Sequence, residues 1–174
     1  RPGWLLRLLP AARLPTSERD MIEREGPETN AAFIAEPVMG AGGVLVPPAS
    51  YFSAIEPILR EHDIMIIADE VINGFGRTGN WWGSQSVGMT PTTISAAKQL
   101  TAAYSPLGAV LVPEDIYQAY VDHSAQIGTF GHGFTYGGHP VGCALGVKAI
   151  EIYQRCNIVD YGRGLSPLFV ARVA

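Results

Sequence analysis

Lysine is nearly absent from this chain: among 174 residues only Lys98 and Lys148 carry a primary side-chain amine. Charge of either sign is scarce, at 16% of residues with a formal net charge of −4. Without a Lys/Arg cluster there is no phosphate-neutralising face, so no nucleic-acid partner is expected. Cysteine is limited to Cys143 and Cys156, in a helical-looking stretch without CxxC or Cys/His spacing. Two buried thiols are expected there, with neither a disulfide nor a metal site, which fits a reducing cytoplasm. No apolar run reaches the roughly 18–20 residues that span a bilayer, and Leu5–Leu9 is interrupted by Arg7. No membrane partner is expected.

What is present suits a packed domain. Apolar residues make up 47% of the chain, and 20 glycines with 13 prolines divide it into short segments without repeats. That pattern suits many tight strand-to-helix turns and an α/β fold. Residues 1–20 carry arginines at 1, 7, 13 and 19 and no acid before Glu18, a superficial transit-peptide composition. Because the chain starts without Met, a truncated or recombined reading frame is the plainer expectation. Residues 1–20 are then a divergent segment and 21–174 a partial domain without an internal boundary.

Phe33–Glu36, Ile64–Ala68, Thr92–Ala96 and Ala109–Val112 read as short strands. The first two are nearly continuous apolar runs, as strands covered on both faces require. Ser50–His62 has an apolar stripe of Phe52, Ile55, Ile58 and Leu59, with Pro57 expected to remove a backbone bond or kink the helix. Pro140–Arg155 is the clearest helix, with proline in its first turn and apolar and wet faces. Glu114–Val121 is expected to be a short helix and Leu165–Val173 the start of another.

Each of the first three strands ends at or just before a reactive group: Glu36, Asp69 and, 29 residues beyond Asp69, Lys98. A strand–crossover–strand unit takes roughly 30 residues, so the three should lie side by side at the carboxyl edge of one sheet, where ligands bind in open α/β folds. Lys98 sits in the small, apolar context Ser-Ala-Ala-Lys-Gln-Leu, and burial there would favour a neutral amine able to attack a carbonyl. A surface lysine is the bland alternative. Asp69 emerges from an apolar strand and needs a partner, for which a protonated ring nitrogen, a turn amide or magnesium would serve.

Two nucleotide readings compete and fail. An apolar strand ending in Asp-Glu resembles a Walker B strand, but Gly74-Phe-Gly-Arg-Thr-Gly79 is followed by Asn80 where lysine is required and lies after the strand. The same residues satisfy GxGxxG, yet Gly83, Gly88 and Pro91 should break any following helix and no acid is correctly placed. The segment Gly131–Pro140 combines glycines with Thr135 before the best helix, suiting either phosphate or a plain turn. His132 and His139 lack a third ligand at metal spacing, so no metal is expected. Trp81 and Trp82 suit a pocket wall or core packing.

Taken in order, Ala35-Glu-Pro-Val, Ile67-Ala-Asp-Glu-Val71, Gly74–Gly79, Ala97-Lys-Gln-Leu-Thr101, Pro106-Leu-Gly-Ala109 and Phe134-Thr-Tyr-Gly-Gly-His-Pro140 resemble the motif series of class III aminotransferases, the ω-transaminases, from about Met21 to Val159. The resemblance implies part of a fold type I large domain dependent on pyridoxal 5′-phosphate (PLP), a three-layer α/β/α arrangement with a mostly parallel sheet. It implies Lys98 as the Schiff-base lysine, general base and acid, and Asp69 on the pyridine nitrogen. Val71 would pack on the ring, Glu36 would support the pocket, and Thr135 with Phe134 would reach the phosphate of a neighbouring subunit in a homodimer. An amine donor and a keto-acid acceptor would be the partners. Some relatives handling ornithine or 4-aminobutyrate carry a glutamate after Glu-Pro; here Met39–Gly42 has none, and Ile72 replaces a frequent Gln. Both departures favour an ω-amine or ω-amino acid donor with a pyruvate-like acceptor over a 2-oxoglutarate-dependent ornithine type. The family's preceding phosphate turn, stacking aromatic and C-terminal domain have no counterpart here, so weak PLP binding and slow turnover are expected of this chain alone. A same-fold aminomutase and a non-catalytic remnant remain alternatives.

Overall fold

The four apolar runs pair into one sheet in a computed structural model that describes residues 14–173. The strands β1 (Ala32–Ala35), β2 (Met65–Asp69) and β3 (Thr93–Ala96) are parallel, and β4 (Ala109–Leu111) lies antiparallel beside β3. Their spatial order follows the chain, β1-β2-β3-β4. The fold is therefore α/β with a mostly parallel sheet, as the spacing of strand ends requires. The run Leu5–Leu9 and the arginines at 1, 7 and 13 lie outside the described residues.

Among the described residues six α-helices accompany the sheet: α1 (Leu14–Glu25), α2 (Tyr51–Glu61), α3 (Gly83–Val87), α4 (Glu114–Ile127), α5 (Pro140–Arg155) and α6 (Ile158–Val173). The core lies on one sheet face. Phe33 pairs with Ile66 and Ala35 with Ala68, and these side chains meet Phe52, Ile55, Ile58 and Leu59 of α2 and Ile22 of α1. Burying each of the larger side chains contributes about 1.5–3 kcal/mol. The opposite face is open at its margins, with Ile34 61% and Val110 70% exposed. The expectation that both faces are covered is thus met only in part: on this face Ile67 of β2 is half-buried while Ile34 of β1 stands open.

Other expectations shift at element ends. Helix α2 continues through Pro57, which sits on its exposed side. A one-turn helix, α3, fits between Gly83 and Gly88, where none was expected; Gly88 ends it at φ 67°, a conformation that favours glycine. Helix α4 runs on to Ile127, and α6 begins at Ile158, before Leu165. Helix α5 has the expected bounds, but its buried residues are Gly142 and Gly146, not its apolar side chains. Cys143, one position past that glycine seam, is exposed, and so is Cys156, correcting the expectation of buried thiols; both are free. No helix among the described residues is long and apolar enough to cross a membrane.

Candidate functional site at the carboxyl edge of the sheet

Parallel pairing brings the ends of β1, β2 and β3 to one edge, and the residues there are tied by their own backbone. Asp69 closes β2 opposite Ser95 of β3. Its Oδ1 accepts the Val71 amide at 3.0 Å and the Ser95 hydroxyl at 3.4 Å. The first is a local turn of a kind aspartate favours. Its Oδ2 has no hydrogen-bond partner among the described residues. Asp69 is half-buried, so this carboxylate is held without being used up.

Glu36, immediately after β1, accepts the Gly40 amide on Oε2 at 2.9 Å. That bond holds a small hairpin in which Met39 and Leu45 pair. Glu36 and Asp69 line one cleft of about 580 Å3, walled by Met39, Leu45, Val46 and Tyr51. Gly40 also meets the segment after β2: a methyl added there would stand 2.7 Å from Ile72 Cδ1. Gly40, within Met39–Gly42, and Ile72, separate features in the sequence, therefore stand against each other. The Asn73 amide ties the same two segments by donating to the Val38 carbonyl at 2.9 Å.

Lys98 begins a short 3-10 turn two residues beyond β3. Its backbone is left-handed, φ 48°, and Ala102 and Ala103 in the same connection share that sign. Such conformations cost about 1–2 kcal/mol each for a residue with a Cβ, and strain of this kind clusters at functional sites. The expected burial of Lys98 is corrected. Its side chain is exposed, because the residue stands past the strand end and not within the small apolar run before it. It has no hydrogen-bond or ion-pair partner among the described residues. Its cleft, shared with Thr101, Ser105 and Leu107, is distinct from the one holding Asp69.

Helix α5 supports that turn from behind. Gly146 lets the helix approach so closely that a methyl there would stand 2.9 Å from Leu107 Cδ2. The Tyr153 hydroxyl donates to the Gln99 carbonyl at 2.6 Å, and burial pushes its phenol above its ordinary pKa. Thr135 and Phe134 lie elsewhere, on an exposed turn before α5, where Phe134 is 80% exposed and stacks edge-on with His132. The structure brings Glu36, Asp69 and Val71 together, places Lys98 along the same edge, and leaves Thr135 and Phe134 apart. Trp82 packs on Phe75 at 5.1 Å between ring centres. No group of three metal-ligating side chains occurs among the described residues.

The donor set fits PLP. An anchored carboxylate with a free oxygen suits a protonated pyridine nitrogen, and an unpartnered primary amine suits an aldehyde.

The model of the class-III aminotransferase family matches residues 12–172. The chain belongs to the class-III aminotransferase family. It is 48% identical over 159 residues to a probable mitochondrial gamma-aminobutyrate transaminase 3 of Oryza sativa subsp. indica, covering 91% of this chain and 31% of that protein. Gamma aminobutyrate transaminase 2 of Solanum lycopersicum is 50% identical over 157 residues, covering 90% and 34%. An omega transaminase of Pseudomonas jessenii, solved in complex with PMP, superposes with a TM-score of 0.84 at 45% identity, covering 86% of this chain and 33% of that one. The chain thus spans about a third of the length of the relatives it matches, and its sheet is part of the family's α/β fold.

One residue at this edge escaped the sequence. Glu70 is fully buried, although it follows a strand and bears a carboxyl group. The only signal was its place in the Asp-Glu pair, which the Walker B comparison treated as a unit.

Proposed function

We propose that this chain supplies the lysine-bearing half of a large domain that transfers an amino group from an ω-amine or ω-amino acid to a keto acid such as pyruvate, with PLP as cofactor. The observation carrying this reading is the anchored Asp69 carboxylate on the same sheet edge as a strained Lys98 that has no partner among the described residues, in a class-III aminotransferase chain. When bound, PLP supplies an aldehyde that condenses with amines and a ring that accepts electrons. Asp69 holds a proton on the ring nitrogen. Lys98 Nζ would be the group that holds the cofactor and would serve as the base toward the donor's amine-bearing carbon. Val71 would hold the ring, Glu36 would steady the pocket through Gly40, and the Thr135 hydroxyl, beside Phe134, would bind phosphate in a partner copy of a homodimer. The exposure of Thr135 and Phe134, away from Asp69, supports that arrangement.

The absence of a glutamate from Met39–Gly42, whose Gly40 stands against Ile72, supports an ω-amino donor with a pyruvate-like acceptor. Relatives named as gamma-aminobutyrate transaminases act on a compound of that class by their names. Free, exposed cysteines fit a reducing compartment, which the cytoplasm provides.

A second reading is that this chain alone holds PLP weakly and turns over slowly, and one observation favours it: Asp69 and Lys98 line different clefts. A single experiment separates the two. PLP-loaded protein is mixed with 4-aminobutyrate, and the visible absorbance of the cofactor is followed. The first reading expects conversion of the band and its return on adding pyruvate, both lost in Lys98→Ala. A band that does not respond in the chain alone, but responds in a version extended to the relatives' length, supports the second. No response in either overturns both.

A further inference from the structure

We infer that Glu70 is a positioning residue whose buried carboxylate fixes the loop 71–82 and, through the Val71 amide, sets the orientation of the Asp69 carboxylate. Its consequence for cofactor binding rests on the function proposed above; its geometry does not. Glu70 is 0% exposed and has no cationic partner among the described residues. Each carboxylate oxygen instead accepts one backbone amide, Oε2 from Gly83 at 2.8 Å and Oε1 from Ser84 at 2.7 Å. A buried carboxylate is costly unless its oxygens are hydrogen-bonded, and bonds from amides to a charged acceptor are among the stronger ones.

The backbone of the same residue holds the other end. The Glu70 amide donates to the Ser95 carbonyl at 2.9 Å, extending the β2–β3 pairing, and its carbonyl accepts the Gly74 amide at 2.8 Å. Glu70 therefore closes both ends of the loop that begins at Val71. Between them the Phe75 amide donates to the Trp81 carbonyl at 2.6 Å. Gly83 is required for the approach, since a methyl there would stand 2.5 Å from Asn73 Cβ. The first residue of this closed loop is the one whose amide holds Asp69 Oδ1. Nothing in the proposed chemistry uses Glu70 directly.

Glu70→Gln preserves size but sets an amide NH2 against one of the two backbone donors. In the protein without added cofactor, hydrogen exchange at Gly83 and Ser84 should quicken about ten-fold, and exchange at Val71 should quicken with them. PLP affinity, read by absorbance titration, should fall about ten-fold. Glu56→Gln is the control, because Glu56 is another buried carboxylate that accepts a backbone amide, that of Thr90 at 2.7 Å, and differs in also pairing with Arg60 at 3.3 Å. It should leave Val71 exchange and PLP affinity unchanged. Faster exchange at Gly83 and Ser84 with Val71 unaltered overturns the inference and leaves Glu70 a local cap. Should Glu70→Gln not fold, Ser84→Pro removes one donor in the first turn of α3, where proline is tolerated, and must reproduce the Val71 effect. Failure of the unsubstituted protein to bind PLP overturns the cofactor reading, and the Val71 exchange still decides the coupling.

Discussion

The Tyr153 hydroxyl donates a 2.6 Å hydrogen bond to the Gln99 carbonyl across 54 positions of sequence, joining α5 to the turn that begins at Lys98. The Lys98 backbone is left-handed, so some packing must hold it there, and Tyr153 with the glycine seam of α5 provides it. Tyr153→Phe removes one hydrogen bond and little volume. It is expected to cost about 0.5–1.5 kcal/mol, measured by urea unfolding, and to quicken hydrogen exchange at Leu100 and Thr101 while leaving β1 and β2 unaffected. Unchanged exchange in that turn would show that the bond does not restrain it.

Asp69→Asn separates charge from shape. The amide oxygen can still accept from Val71 and Ser95, so stability should change by less than about 1 kcal/mol. The charge that would hold a proton on a ring nitrogen is gone, and PLP affinity should fall at least about ten-fold. Equal affinity in Asp69→Asn would remove Asp69 from the cofactor site.

Two carboxylates on the helical side give opposite pH signatures. The Arg19 guanidinium, hydrogen-bonded to Glu61 at 2.7 Å, holds the Glu61 carboxyl below its ordinary value. Its contribution is present above the ordinary carboxylate range and lost as pH falls through the folded-state value; salt screens it as well. Burial raises Glu18, so its contribution is complete at low pH and lost as pH rises through its folded-state value. Glu18→Gln should therefore stabilise the protein at pH 7 and make no difference well below the carboxylate range. Unfolding curves at the two pH values check the sign.

Much of this edge was legible in the sequence, for an identifiable reason. Short apolar runs with reactive groups at their ends, spaced by one crossover, can hardly be arranged otherwise in a parallel sheet, and Glu36 and Asp69 do share a cleft. Pro140 likewise marked the start of α5. What escaped depends on partners distant in sequence. Helix α1 buries Ile22 against α2 and otherwise reads as a polar segment, so no stripe announced it. Lys98 was expected to be buried because its neighbours are small and apolar, yet the chain leaves the strand before reaching it. Glu70 looked like an ordinary acid because its partners, the Gly83 and Ser84 amides, are 13 and 14 positions away. Cys143 follows the buried Gly142 on a helix whose contact seam is made of glycine, a pattern that hydrophobicity does not reveal.

The scarcity of lysine makes the central claim directly measurable. With substoichiometric PLP followed by borohydride reduction and peptide mapping, the phosphopyridoxyl label must divide between Lys98, Lys148 and the chain's amino terminus. Lys148 is exposed and paired with Glu151 at 2.9 Å, and so serves as the internal reference for an ordinary surface amine. If Lys98 is the attachment point of the cofactor, it should carry at least about ten times the label of Lys148, an advantage of about 1.4 kcal/mol, and Asp69→Asn should reduce that ratio. Equal labelling of Lys98 and Lys148 would contradict the account.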